Sequence, residues 1–223
     1  MEPSEFSISH YCLIKNRRII LNGEKLIEEE AHGDFPSFLS SVYKTFGSEY
    51  TKFYKMDLLS KLGILTTDFL IDFGSRIKKY NENDIAIILA NSQSSLETDA
   101  RFLETIADEN KYYPNPALFV YTLPNVLIGE ICIKYKLKGE SVFFVSQTAD
   151  FDFLRIYSEN VFRNTKTKAI ITGWVDLDFK QNYESILFLV EKNDGSSTDS
   201  SPWSFTATSM EDLYFEKNLE ESE

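Results

Sequence analysis

The sequence predicts an α/β protein in which helices cover a sheet, and three observations carry that expectation. Uninterrupted apolar runs such as IAIILA (85–90) and VFFV (142–145) read as strands covered on both faces. Segments with apolar residues at three- and four-residue steps are interleaved with them, which is the pattern of helices with one buried side. At 223 residues, 43% of them hydrophobic and 14% aromatic, the chain can bury one sizeable core.

Taken in order, FSISHYCLI (6–14) and RRIILN (17–22) are short strand-like runs, the second closed by Gly23. After the charged EKLIEEEAHGD, Pro36 lies in the first turn of a helix carrying Phe38, Leu39, Val42, Tyr43 and Phe46 on one side. From Lys55 to Ile77 the spacing of Leu58, Leu62, Leu65, Phe69 and Phe73 predicts a helix, with a break expected at TTDF (66–69). DIAIILANSQSS and LETDARFLETIADE then form a strand followed by a helix. Beyond the polar NKYYPNP, a helix is expected within Tyr121 to Lys136, with Pro124 at its start and Gly139 after its end. SVFFV is a strand, and Asp150 to Asn164 a helix with Phe151, Leu154, Tyr157, Val161 and Phe162 as its apolar positions. KAIITGWVDL and ESILFLVEK are two more strands. One domain spans 1–192, and 193–223 reads as a polar C-terminal loop and charged tail.

Net charge is −12, from 35 acidic and 23 basic residues, and this argues against a nucleic-acid or anionic-membrane partner. The start, MEPSEFS, has neither a basic nor an apolar leader region, and no apolar run reaches membrane-span length, so a cytoplasmic protein is expected. Cys12 and Cys132 lie in apolar company and read as buried thiols.

No reaction is supported by the residues alone. The two histidines, His10 on a strand and His32 in a polar loop, fall in no motif. No His or Cys pair has metal-ligand spacing, and there is no glycine-rich phosphate loop, so no metal or cofactor is expected. Asp150 and Asp152 are ordinary complements to a helix dipole, and Asp176 and Asp178 ordinary turn acids. The strand Ser141–Val145 is apolar on both faces. A central position in the sheet accounts for this, and an edge position would require a partner chain.

Several segments together resemble one family, the β-ketoacyl synthases of the thiolase superfamily. YTLPNVLIGEICIKYKLKGE resembles the family's TLPN segment and the helix after it; SVFFV, the helix that follows and KAIITGWVD resemble its nucleophile strand, nucleophile helix and next strand. DIAIILANSQSSLETDARFLETI resembles the family's upstream strand and helix, and ESILFLVEK its closing strand. The resemblance covers roughly 55–192. It implies a thiolase-like half-fold: a mixed five-stranded sheet with helices on both faces.

Matching Gly139 and Gly173 to the family's glycines puts the nucleophilic cysteine position on Thr148, with Gln147 and Ala149 on either side. The chain is roughly half as long as a complete synthase, leaving no room for the two catalytic histidines of the second half. The resemblance therefore implies a non-catalytic subunit, similar to the short chain-length factors of aryl polyene and flexirubin-type clusters. Such a subunit pairs with a full-length β-ketoacyl synthase, or with itself, and meets acyl carrier protein only indirectly. By the same resemblance Ser141, Val142, Phe143, Phe144, Val145, Ser146 and Gln147 form the interface strand, and Tyr112, Tyr113, Phe119, Tyr121 and Asn125 are candidates for lining an acyl tunnel. Two alternatives stand beside this. One is a small acyl-transfer or hydrolytic enzyme using Thr148 or Ser146 with His10 or His32; the other is a homodimeric scaffold.

Overall fold

The computed structural model describes residues 5–28, 33–46, 49–193 and 203–216. Its strands are β1 (Phe6–Lys15), β2 (Arg18–Leu21), β3 (Glu24–Glu28), β4 (Ile85–Asn91), β5 (Ser141–Val145), β6 (Ala169–Leu177), β7 (Tyr183–Lys192) and β8 (Trp203–Ser204). They make one sheet in the order β3-β2-β1-β7-β6-β4-β5, with β8 also beside β1. β4 runs parallel to both β5 and β6, and the remaining pairs are antiparallel.

The sheet has eight strands rather than the expected five. β1, β7, β6, β4 and β5 supply five neighbouring strands, and two tight turns extend the sheet past β1. Asn16 and Arg17 both have positive φ (50° and 58°), as do Asn22 and Gly23 (54° and 89°), the backbone that two-residue hairpins require. The second turn brings the polar Glu24–Glu28 back as β3, although its composition alone does not read as a strand.

Among the described residues, α1 (Phe35–Phe46), α2 (Leu58–Leu70), α5 (Val126–Tyr135), α6 (Phe151–Asn164) and α7 (Ala207–Tyr214) pack on the two faces, while α3 (Leu96–Glu104) and α4 (Pro116–Phe119) contact each other at the surface. Side chains alternate across a strand. Ile87, Leu89, Ile171 and Leu187 therefore face α1, α2 and α5, whereas Ile88, Ile170, Trp174 and Phe188 face α6 and α7.

The expected break at TTDF is not there. Thr66 and Thr67 donate their hydroxyls to the carbonyls of Leu62 and Gly63 (2.9 and 2.7 Å) and stay within α2. The chain leaves the helix after Leu70, where Asp72, Phe73 and Gly74 all take positive φ. Within the expected polar tail, Ser204 and Trp203 pair with β1, and α7 buries Met210 and Leu213 beside Phe205 against the α6 face. A few well-spaced apolar residues, with Thr206 capping the helix through the Ser209 N–H (3.1 Å), are enough to dock a segment whose average composition is polar. Among the described residues no helix is long and apolar enough to cross a membrane.

Candidate functional site

The parallel strands β4, β5 and β6 bring three chain corners to one end of the sheet. Among the described residues, β5 pairs only with β4 and so forms the sheet's edge. The Ile87 N–H donates to Glu140 O and the Ser146 N–H to Asn91 O, both at 2.9 Å. In a parallel ladder these two bonds turn the backbone of 140, 142, 144 and 146 toward β4 and the N–H and C=O groups of Ser141, Phe143 and Val145 outward. Phe144 lies on the α6 side, edge-on to Phe153 (4.8 Å) and Tyr157 (5.0 Å). Phe143 packs on the opposite face with the α2–α5 core, and Val145 is 56% exposed.

Beyond β5 the Ser146 hydroxyl donates to Thr148 O (2.8 Å), and the side chains of Gln147 and Thr148 are exposed. Asp150 accepts from the Phe153 N–H (2.9 Å), and so caps α6. Asp152 pairs with Arg155 at 2.8 Å. Asp176, at the end of β6, fixes the neighbouring corner by accepting from the Ser92 hydroxyl (2.6 Å) and from the Ser92 and Gln93 N–H groups (3.0 and 3.3 Å). Asp178 accepts from the Lys180 and Asn182 N–H groups of its own turn. These acids are engaged in holding local structure.

His10 is not brought to this corner. It lies on β1, with β7, β6 and β4 intervening, so that four strand spacings of ~4.8 Å separate β1 from β5. Burial and the nearby Arg76 push its pKa below the usual histidine value. His32 lies outside the described residues. Cys12 is fully buried, and burial pushes its thiol pKa up. Cys132 is half-buried, with its thiol also raised by burial. In both, burial dominates, outweighing Arg76 near Cys12, whereas a reactive thiolate needs its surroundings to favour the charged form.

The tunnel candidates are spread out. Tyr112, Tyr113 and Phe119 are 60%, 78% and 61% exposed, and Asn125 is exposed at the start of α5. Tyr121 is buried and donates its hydroxyl to Glu130 (3.0 Å), a buried carboxylate that also pairs with Lys52 (2.7 Å). Tyr121 lines a cavity of about 630 Å³ with Asp57, Lys61 and Arg101. Asn125 lines a different groove, of about 670 Å³, between α5 and β5. That groove includes Ile128, Gly129, Cys132, Leu137 and Phe143, and runs along the open edge of the sheet. Its only sequence signal is the apolar character of α5 all round, which reads equally well as core.

No family model matches the chain, and no curated protein matches it. Solved structures do. The ishigamide ketosynthase/chain-length factor aligns with a TM-score of 0.63 at 15% identity, over 88% of this chain and 64% of that one. A ketosynthase in complex with a type II polyketide acyl-carrier protein aligns with a TM-score of 0.58 at 12% identity, again over 64% of its length and over 87% of this chain. The ketosynthase ApeO in complex with its chain-length factor ApeC, from Xenorhabdus doucetiae, aligns with a TM-score of 0.55 at 13% identity, over 95% of this chain and 90% of that one. The chain thus spans just under two thirds of the first structures it matches. The fold is the ketosynthase-like thiolase fold.

Proposed function

We propose that this protein is a non-catalytic, chain-length-factor-type subunit that pairs with an active β-ketoacyl synthase in polyketide, polyene or fatty-acid-type chain elongation. The observation that carries the reading is the edge strand β5. It is apolar on both faces, its outer N–H and C=O groups have no neighbouring strand among the described residues, and it leads into α6 through Gln147, Thr148 and Ala149 rather than a cysteine. A strand added by a partner would satisfy those groups and cover Val145. A threonine hydroxyl needs a base to act as a nucleophile, and among the described residues the one histidine, His10, lies four strands away from Thr148, which supports assigning the condensation chemistry to the partner.

The neighbours described as ketosynthases in complex with a chain-length factor or a carrier protein supply the class of partner. With a net charge of −12, this chain is a poor docking face for a typically acidic carrier protein, which would contact mainly the synthase. The unit is assigned to 1–192, with 193–223 appended. Tyr112, Tyr113 and Phe119, exposed on the chain itself, would line an acyl tunnel with Tyr121 and Asn125 once the partner covers them.

Co-expression with a full-length β-ketoacyl synthase from the same organism, followed by size-exclusion chromatography with light scattering, tests this reading. A one-to-one complex is expected. Phe144 is only partly buried against α6 and would be enclosed by the partner, so Phe144→Lys, shown to stay folded by its circular dichroism, should weaken the complex by at least about 100-fold, since an unpaired charge buried in an interface core costs about 3–5 kcal/mol. Separate elution of the wild-type proteins would overturn the reading, and so would full affinity in Phe144→Lys.

A further inference from the structure

Gly129 stands in the middle of α5, where a glycine weakens a helix, and no contact among the described residues accounts for it. The contrast with the other helical glycine is direct. A Cβ on Gly63 would lie 2.4 Å from Leu127 Cδ1, so Leu127 of α5 fills the space that this glycine leaves on α2. A Cβ on Gly129 would meet no atom within 4 Å. Gly129 is turned through about 200° from Leu127 and faces away from α2. One turn further on the same side, Ile133 is 62% exposed. Gly129 lines the groove between α5 and β5, together with Ile128, Leu137 and Phe143.

We infer that Gly129 is a socket for an apolar side chain carried by the strand that the synthase partner adds to β5. This rests on the function proposed above and goes beyond it by naming where the specificity of pairing resides. A strand added to β5 would lie ~4.8 Å beyond it, with alternate side chains rising on the face occupied by α5. Those side chains enter the groove beside Phe143, and the missing side chain at 129 lets one of them approach the α5 backbone. An uncharged, apolar occupant fits Ile128, Cys132, Leu137, Val142 and Phe143, which line the groove together with the polar Asn125, Ser141 and Lys138.

The test measures two things on the full chain: its own thermal unfolding, and its affinity for the purified synthase. Gly129→Ala should melt at or above the wild-type temperature, because alanine is the better helix former and its methyl enters open space. Gly129→Leu should fold normally yet bind the synthase at least about 30-fold more weakly, as expected for a blocked interface pocket. Gly129→Gln, a good helix former whose polar chain can stay in water on the free subunit, should weaken binding about fivefold or more and decides the matter if Gly129→Leu fails to fold. A folded Gly129→Leu with wild-type affinity, while Phe144→Lys still abolishes the complex, overturns the socket and leaves the proposed function standing. A lower melting temperature in Gly129→Ala likewise overturns it, since the glycine would then serve the chain's own fold. If the wild-type chain forms no complex at all, both fall together.

Discussion

Gly139, just before β5, and Gly173, within β6, are positions where a side chain would strike neighbouring backbone. A Cβ on Gly139 would lie 2.1 Å from Ile85 O, at the start of β4, and one on Gly173 would lie 2.0 Å from Ile186 O on β7. Gly173 also has a φ of 152°, a conformation that other residues rarely adopt. Neither obstacle is a flexible side chain that could swing aside. Gly139→Ala should therefore cost about 3 kcal/mol through forced separation of β4 from the start of β5. In a domain of this size that lowers the melting temperature by on the order of 10 °C. Calorimetry checks it, and an unchanged melting temperature would refute the close contact. These two glycines are visible in the sequence as family landmarks, but the carbonyl oxygens that require them come from residues 54 and 13 positions away along the chain and cannot be read there. The corner residues present the opposite case. Gln147 and Thr148 are exposed, so their identity is not dictated by packing.

Between helices α2 and α5 lies a buried ionic contact of a kind that periodicity does not reveal. Lys134 donates to both Asp68 carboxylate oxygens at 2.6 Å, and Tyr135 donates to Oδ1 at 2.5 Å; Asp68 is fully buried. Burial raises the Asp68 pKa above the ordinary carboxylate value, while Lys134 and then Tyr135 pull it down without cancelling the rise. Replacing Lys134 by Met removes the largest opposing influence and leaves a buried carboxylate unpaired, a loss of about 3–5 kcal/mol at neutral pH. A carboxyl with a raised folded-state pKa binds its proton more tightly when folded, so its penalty is absent below the unfolded value of about 3.9 and grows as pH rises through the folded value. Urea unfolding of Lys134→Met and wild type should accordingly show a gap that is large at neutral pH and narrows toward acid. A gap independent of pH would sink the assignment. The helices themselves are legible: α1, α2 and α6 follow the apolar spacing, and β4 and β5 the unbroken apolar runs. β3, β8 and α7 are harder to read because turn backbone and a few docking residues, not average composition, place them.

At the scale of the whole molecule, the two ends of the sheet differ. β3 closes one end with Glu24, Lys25 and Glu28, the charged side chains that discourage strand addition. β5 closes the other with Val142, Phe143, Phe144 and Val145, and carries no charge. The apolar character of this strand is plain in the sequence, but its position at the edge is decided by connections through α3, α4 and α5 and emerges only from the topology. The same connections explain why the aromatic residues before α5 do not converge: Tyr112, Tyr113 and Phe119 sit on short surface elements, whereas Tyr121 is buried beside Glu130. An open apolar edge on a chain with a net charge of −12 sets strand addition against electrostatic repulsion. Without the synthase, strand addition should prevail at high ionic strength, where repulsion between copies is screened. The purified chain should then self-associate with rising concentration, as seen by light scattering. Val145→Lys puts a charge on the 56% exposed edge residue without disturbing the core, so it should keep the chain monomeric while changing its stability by no more than about 0.5 kcal/mol. Wild-type protein that stays monomeric in high salt at every concentration would show that β5 is protected by other means, and equal association by Val145→Lys would place the contact elsewhere on the surface.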